Sequence, residues 1–287
     1  MKNRSFLFFT TIFIILLIPI ILFFSNDRDQ HKSGNKSGQE KQHEKEDKKE
    51  DKKEDDKKEK KEKKEKDNGI GPDDIIWGID SASLTTKELY ACVKEQFGTP
   101  KVWGRYLGDI EDVSFGLTSD EVEYLHSNKI KILIIYNHIT EAKGYENGKS
   151  HAEKAISMAK ELKVPKGKAI FADIEPSFPV DAKFIEGWFD EMSKSSYIPA
   201  IYGVFSQEQA LFSEYNKAAN NQKDLKKKMI LWTAHPQKGI TSEKKAPKYQ
   251  PEGPKDSNLL GWQYGIDAKN CNIDTDLFKG KLIEYVW

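Results

Sequence analysis

Short apolar runs alternate with amphipathic stretches from residue 75 onward. The runs are nearly continuously apolar, which is typical of strands covered on both faces; they are Ile75–Ile79, Val102–Leu107, Ile130–Tyr136, Ala169–Ile174, Ala200–Val204, Met229–Thr233 and Leu259–Tyr264. Between the first six runs, apolar residues recur every three or four positions, which predicts helices at Thr85–Phe97, Leu117–Asn128, Ser150–Lys163, Asp181–Lys194 and Ser206–Asn221. Strand–helix alternation with short connections predicts parallel pairing and, at this length, a β/α barrel.

The alternation stops after the fifth helix. Gly239–Asn258, between the last two apolar runs, is rich in Lys and Pro and has no helical period, although Ala246–Gln250 has the pattern of a short strand. We therefore predict an irregular, TIM-like β/α barrel, in which five β/α units are followed by three strands with little helix.

The N-terminal 26 residues have the composition of a membrane anchor. Phe6–Phe24 is a 19-residue apolar stretch without a charge, about the length that spans a bilayer as a helix. Lys2 and Arg4 precede it, so the positive-inside rule places the N-terminus in the cytoplasm. The stretch ends without the small residues of a signal-peptide cleavage site. We therefore expect residues 1–26 to be a retained, single-pass transmembrane helix with the rest of the chain outside the cell.

Residues 27–67 are almost wholly polar, with long alternations of Lys, Glu and Asp. Such a segment cannot bury enough apolar surface to offset the entropy of folding, so we predict a disordered linker that leads to a globular domain at 68–287. The whole chain has 46 basic and 46 acidic residues, and the domain alone has a slight acidic surplus. A nucleic-acid-binding domain is usually basic, so we expect no nucleic-acid partner. Nothing in the sequence decides the oligomeric state.

Two cysteines, Cys92 and Cys271, lie in the predicted domain. An exported domain can form a disulfide, but the spacing does not decide whether these residues pair. The interpretation that we favour is two free, buried thiols.

Acidic residues follow the predicted strands at the ends where barrel enzymes carry their working groups. Asp80 closes the first strand, and Asp173 and Glu175 close the fourth. Residues two apart on a strand point to the same face. Two carboxylates that face one opening repel each other, which raises the pKa of at least one and suits it to act as a general acid. Glycoside hydrolysis uses such carboxyl pairs, so we expect this pair to be functional.

Aromatic residues also gather near the predicted strand ends and suggest a platform for sugar rings. The candidates for substrate binding are Tyr136, Tyr202, Trp232, Trp262 and Tyr264, together with His138. Asp274 and Asp276, after the last predicted strand, are too few for an all-oxygen calcium cage, and no His/Cys spacing indicates zinc. No Gly-x-Ser-x-Gly elbow or Gly-rich phosphate loop is present. We therefore predict no metal and no cofactor.

The order of these motifs resembles the family 25 glycoside hydrolases, which are lysozyme-type muramidases. The motifs are Gly-Ile-Asp80-Ser, Ile-Tyr136-Asn-His, Phe-Ala-Asp173-Ile-Glu175, Ile-Tyr202-Gly, Leu-Trp232-Thr-Ala, Trp262-Gln-Tyr264 and Ile-Asp274-Thr-Asp276. Closer still, the chain resembles the exported glycoside-hydrolase-like domains of the domain of unknown function 1906 type. The resemblance covers nearly all of residues 75–287. It departs at Tyr136-Asn-His138, where family members usually have Tyr-His-Phe.

The resemblance implies a barrel with a catalytic set of Asp80, Asp173, Glu175 and Asp274, in which Glu175 is the proton donor. It implies hydrolysis of a β-linked aminosugar glycan, with cell-wall peptidoglycan as the nearest such polymer for a tethered, exported domain. The alternative is a non-catalytic glycan-binding or wall-associated module on the same barrel. A chitinase-like enzyme is disfavoured, because Ile170 stands where that group has the first acid of its Asp-rich motif.

Overall fold

Eight strands pair in chain order and close into a barrel in the computed structural model, which describes residues 69–287. The strands are β1 Ile75–Asp80, β2 Val102–Tyr106, β3 Lys131–Tyr136, β4 Ala169–Ile174, β5 Ile198–Gly203, β6 Ile230–Ala234, β7 Asn258–Gly265 and β8 Asp274–Lys279. The helices are α1 Lys87–Gln96, α2 Ser119–Ser127, α3 Tyr145–Glu161, α4 Ala182–Lys194, α5 Ala210–Asn221 and the one-turn α6 Leu225–Lys228.

The later strands carry little helix. Within residues 69–287, the chain beyond β6 forms only two 3₁₀ segments, Glu243–Lys245 and Gly280–Glu284. The predicted order of five β/α units followed by three strands is therefore confirmed. No helix in this part of the chain is long and apolar enough to cross a bilayer. The predicted anchor and linker lie outside the described residues.

The identity and direction of the eighth strand differ from the prediction. Ala246–Gln250 forms no strand, since Pro247 has no amide hydrogen for a ladder. The eighth strand is instead β8, which runs antiparallel to both β7 and β1, so the expectation of parallel pairing is wrong for this strand. Because β8 is reversed, its first residues lie beside the last residues of β1, and Asp274 is paired with Asp80.

Helix ends follow local capping chemistry. The hydroxyl of Thr86 accepts a hydrogen bond from the Leu89 amide at the start of α1, and Thr118 does the same for Glu121 in α2. The carboxylate of Asp181 accepts from the Phe184 amide and begins α4. These side chains fix where each helix starts and hence the loop that precedes it.

Two apolar layers hold the barrel together. Inside the barrel, the strands bury Val102, Leu133, Phe171 and Phe278 among other side chains. A second layer lies between strands and helices and includes Trp103, Ile134, Phe184 and Trp188. Alternate residues of each strand therefore belong to different layers, as a period of two requires.

A disulfide joins the start of the barrel to its end. Cys92 of α1 is bonded to Cys271 in the loop before β8, with the two Cα atoms 5.7 Å apart. The prediction of two free thiols is therefore wrong. The reversed β8 is the reason, because it brings the loop before it back to β1 and α1, although 179 positions separate the cysteines in sequence.

Candidate active site

Five carboxyl groups meet at the mouth of the barrel. Asp80 ends β1, Asp173 lies near the end of β4 with Glu175 just beyond it, and Asp274 and Asp276 open β8. Each of these acids affects the ionisation of at least one of the others. The structure thus brings together the four acids predicted from the sequence, and it adds Asp276.

Asp173 and Glu175 form the first carboxyl pair. Asp173 is buried, Glu175 is half-buried, and the two side chains are hydrogen-bonded to each other. Burial raises the pKa of both groups, and the negative charge of Glu175 raises the pKa of Asp173 further, well above its usual range. A hydrogen bond between two carboxyl groups requires one proton, so the pair retains a proton that it can transfer.

Gln263 of β7 links the acids on the other side of the mouth. Its amide nitrogen donates to Asp80 Oδ2 at 2.9 Å and to Asp274 Oδ2 at 3.2 Å. The Tyr202 hydroxyl donates to Gln263 Oε1 at 2.8 Å, which orients the amide. The Asp267 amide donates to the second oxygen of Asp274 at 2.7 Å. Both carboxyl groups are therefore held in fixed positions.

Burial governs the pKa values on this side of the mouth. It raises the pKa of Asp80 to about 6, against the hydrogen bonds from Gln263 and Asp276, which lower it. Burial also raises the pKa of Asp274 to about 8, and the negative charge of Asp80 raises it further. Near neutral pH, Asp80 is the group of the two that carries the negative charge.

Two tyrosines complete the inner wall. Tyr106 of β2 and Tyr202 of β5 have their pKa values raised by burial and, to a lesser extent, by the carboxyl groups around them. Both hydroxyls therefore stay neutral and can donate hydrogen bonds to a polar ligand.

Three of the predicted sugar-binding aromatics lie away from the mouth. Tyr136 faces α3 and α4, where its hydroxyl is 3.0 Å from His151 Nδ1 and its ring stacks on Trp188. The Tyr264 hydroxyl accepts from Trp77 Nε1 at 3.0 Å, and the Trp262 indole donates to the backbone oxygen of residue 235 at 3.2 Å. All three are buried in the layer between strands and helices. Their strand positions are one residue out of phase with the inner face, so a predicted role in sugar binding loses its geometric basis.

The other three predicted binding residues lie at different depths. Tyr202 is half-buried in the wall of the mouth. Trp232 lies inside the barrel beneath it, buried, with its ring centre 4.3 Å from that of Tyr202. His138 is exposed beyond the end of β3 and packs against Gly108, where an added Cβ would lie only 1.8 Å from His138 Nε2.

Sequence reasoning missed three members of the site. Gln263 stands at the centre of the Trp-Gln-Tyr motif but received no role of its own, and Tyr106 was seen only as one of several strand-end aromatics. Asp276 was considered only as a calcium ligand. A signal for Asp276 does exist, because Asp274, Asp276 and Phe278 alternate with Thr275 and Leu277 as the faces of a strand would.

A groove of about 470 Å³ lies beside the mouth. Its walls are the loop after β2, the loop after β1 and the loop before β8, which contribute Ala82, Ser83, Asp109, Ile110, Glu111, Asp112, Val113, Ser114, Phe115 and Asn272. Phe115 is 62% exposed and Val113 is 67% exposed, which is unusual for large apolar side chains. Ser83 follows Asp80 by three residues and Asn272 precedes Asp274 by two, so the groove adjoins the carboxyl groups.

A buried ion pair fixes the loops around this groove. Arg105 of β2 donates to Glu121 Oε1 of α2 at 2.6 Å, and neither side chain is more than 1% exposed. The same guanidinium donates to the backbone oxygens of Ser81 and Phe115. Glu121 Oε1 also accepts from the Thr85 amide at 2.8 Å. The pair thus ties the loop after β1 and the loop after β2 to the barrel wall.

Residues 69–287 contain no group of three His, Cys, Asp or Glu side chains arranged to hold a metal ion. The chemistry that this site can perform with its own groups is proton transfer and stabilisation of positive charge, at an opening wide enough for a polymer chain.

The sequence matches the profile of a family described as Rv2525c-like, glycoside hydrolase-like domain, over residues 100–270. The match includes Asp173, Glu175 and Gln263, whereas Asp80 and Asp274 lie just outside it. It confirms the predicted resemblance to glycoside-hydrolase-like domains. No curated protein matches the sequence.

Solved structures show the same fold. An uncharacterized protein of B. stearothermophilus is 39% identical with a TM-score of 0.72, and the alignment covers 74% of this chain and 100% of that one. The spore cortex lytic enzyme SleM of Clostridium perfringens is 12% identical with a TM-score of 0.50, over 76% of this chain and 71% of that one. A family GH25 lysozyme from Aspergillus fumigatus is 17% identical with a TM-score of 0.42, over 71% and 94%.

Proposed function

Because this chain belongs to the family of Rv2525c-like, glycoside hydrolase-like domains, we propose that it hydrolyses a β-linked aminosugar glycan, namely cell-wall peptidoglycan. The observation that carries the proposal is the proton-sharing pair Asp173–Glu175, which faces the ionised Asp80 across an open barrel mouth. Glycoside hydrolases need such a combination of one protonated and one ionised carboxyl group.

In the proposed reaction, Glu175 protonates the glycosidic oxygen of the leaving sugar. It is the more exposed member of its pair and so has the better access to substrate. Asp173 holds the shared proton between turnovers and orients the acetamido group or a water. Asp80 and Asp274 stabilise the positive charge that develops on the sugar ring, which is strongest in a partly dehydrated site.

The substrate proposal has a direct test. We expect the purified full chain to release new reducing ends from isolated cell walls and to clear a gel that contains wall material, whereas a Glu175→Gln variant does neither. If the wild-type chain releases nothing but still co-sediments with walls, the hydrolase proposal is wrong and the alternative of a glycan-binding module is supported.

We propose that the protein is held in the cell membrane by its N-terminal segment, with the barrel outside. The apolar stretch at residues 6–24 supports this, and so does the Cys92–Cys271 disulfide, because such bonds persist in oxidising compartments. Protease added to intact protoplasts is expected to remove the barrel from the membrane fraction. A barrel that resists protease until the cells are lysed would place it in the cytoplasm and contradict the proposal.

The groove beside the mouth is proposed to bind sugar units next to the cleaved bond, with Phe115 as the stacking surface. Phe115→Ala is expected to raise KM for soluble wall fragments about two- to tenfold, the loss expected from one aromatic contact of about 0.5–1.5 kcal/mol. The value of kcat should change little, because a contact made equally in ground and transition states affects KM alone.

The matched control for this measurement is Ile75→Ala. Ile75 is also an exposed apolar residue, at 45%, but it lies at the other end of β1. Steady-state kinetics of both variants should show a raised KM for Phe115→Ala only. Equal KM values in the two variants would exclude the groove as a sugar site.

A further inference from the structure

Asp276 is a buried acid for which the proposed chemistry has no use. It is 0% exposed, and on β8 it lies opposite Gly78 of β1 and Gln263 of β7. An isolated buried carboxylate is strongly unfavourable, so its presence beneath the mouth calls for a physical explanation.

The hydrogen bonds of its two oxygens differ. Oδ1 accepts from Trp232 Nε1 at 3.0 Å. Oδ2 meets no donor within the described part of the chain, yet the side chain is hydrogen-bonded to the carboxyl group of Asp80. Two ionised carboxylates cannot form a hydrogen bond, because neither has a hydrogen to donate. One proton must therefore lie between Asp80 and Asp276.

The surroundings decide which residue owns this proton. Asp80 Oδ2 already accepts a hydrogen bond from Gln263, and the positive charge of Arg105 also favours its ionised form. Asp276 is more deeply buried, and the charges of Asp80 and Asp274 both disfavour its ionisation. Consistent with this, burial raises the pKa of Asp276 well above its usual range, whereas that of Asp80 rises only to about 6.

We propose that Asp276 is a positioning residue of the candidate site, which remains protonated and donates its hydroxyl to Asp80, so that Asp80 is held as the ionised carboxylate at the mouth. Trp232 keeps the donor in place from below. Only the purpose of this arrangement rests on the proposed function, since the hydrogen bond itself does not depend on catalysis.

The groups around Asp80 define what the donor must oppose. Asp173 and Glu175 approach from the β4 side and Asp274 from β8, and all three are acids. The neighbouring tyrosine hydroxyls, those of Tyr106 and Tyr202, are neutral. The N–H of Gln263, the charge of Arg105 and the O–H of Asp276 are the influences that favour ionisation. Loss of the Asp276 donor should therefore raise the pKa of Asp80.

The test is a pH titration of the full chain, with ¹³C-labelled Asp carboxyl groups followed by NMR. The Asp80 signal is identified by its absence in Asp80→Asn. Asp276→Asn keeps both contacts, because its amide can donate to Asp80 and accept from Trp232, so the Asp80 midpoint should stay close to the wild-type value. Asp276→Leu has a similar volume but no donor, and the midpoint should rise by about one pH unit or more.

Asp276→Asn alone can overturn the proposal, even if the Leu variant fails to fold. If Asp276 were ionised, the Asn substitution would remove a buried negative charge beside Asp80, and the Asp80 midpoint would fall markedly. An unchanged Asp80 midpoint in a folded Asp276→Leu variant would also overturn it. Since the titration needs no turnover, a protein without hydrolytic activity would contradict the proposed function and leave this result to stand or fall separately.

Discussion

Glu175→Gln is expected to reduce cleavage of wall glycan by a factor of about 10² to 10⁴ or more, the contribution of a positioned proton transfer. Gln has nearly the same shape as Glu but cannot release a proton to the leaving oxygen. Folding and sugar binding should persist, because Glu175 is half-buried and its partner Asp173 can donate to the new amide. The measurement is kcat for release of reducing ends, with thermal unfolding as the check on folding.

Asp173→Asn should also be severe, and the double variant should be little worse than either single variant, because the two residues act on one proton. The pH profile gives a further check. In the wild type, the pair loses its last proton at high pH, since that step creates two adjacent negative charges. With Asn at 173, Glu175 loses its proton alone, so activity should decline at lower pH than in the wild type.

The control for both variants is Glu153→Gln, which removes an exposed acid on the outer face of α3. It should leave kcat unchanged. If Glu175→Gln is as active as this control on every wall glycan tested, the assignment of the proton donor is wrong.

Arg105→Met is expected to lower the free energy of unfolding by about 3–5 kcal/mol, because it leaves the Glu121 carboxylate buried without its counter-charge. The Ser81 and Phe115 carbonyl oxygens lose their donor at the same time. Urea unfolding of the two proteins measures the difference. Glu121→Gln should be harmful for the complementary reason, since it leaves the guanidinium unpaired.

An exposed ion pair provides the comparison. Lys194 and Glu191 are 3.1 Å apart, with the Lys side chain 63% exposed, and Lys194→Met should change the free energy of unfolding by less than about 1 kcal/mol. Replacing both Arg105 and Glu121 with apolar residues should be less destabilising than replacing Arg105 alone. A loss below about 1 kcal/mol in Arg105→Met would mean that water reaches the pair.

The sequence predicts the parts of this fold that depend on local pattern. Seven of the eight strands are apolar runs, and the five long helices have clear periodicity, so both follow from composition and spacing. Starts are less certain: α3 begins at Tyr145 and not at Ser150, because turn residues there are already helical. The strand β8 escapes detection because aspartates occupy its inner face, and Asp has a low strand propensity.

The candidate site is predictable to the same extent. Acids that close parallel strands converge at one mouth whatever the exact register, which is why Asp80 and the Asp173–Glu175 pair are readily identified. The aromatic residues are harder, because an error of one position moves a ring such as Tyr136 from the mouth to the helix side. Gln263 and Asp276 depend on the reversed β8, and no local pattern reveals which way a strand runs.

The Cys92–Cys271 bond turns most of the barrel into a covalent ring. The chain between the two cysteines includes all of β2 to β7, while β1 and β8 lie outside the ring and pair with each other. A peptide bond cut in any loop of the ring opens it without releasing a fragment, so both pieces remain one molecule. The barrel can therefore survive a proteolytic nick with the carboxyl groups of β1, β4 and β8 still assembled, for as long as the disulfide stays oxidised.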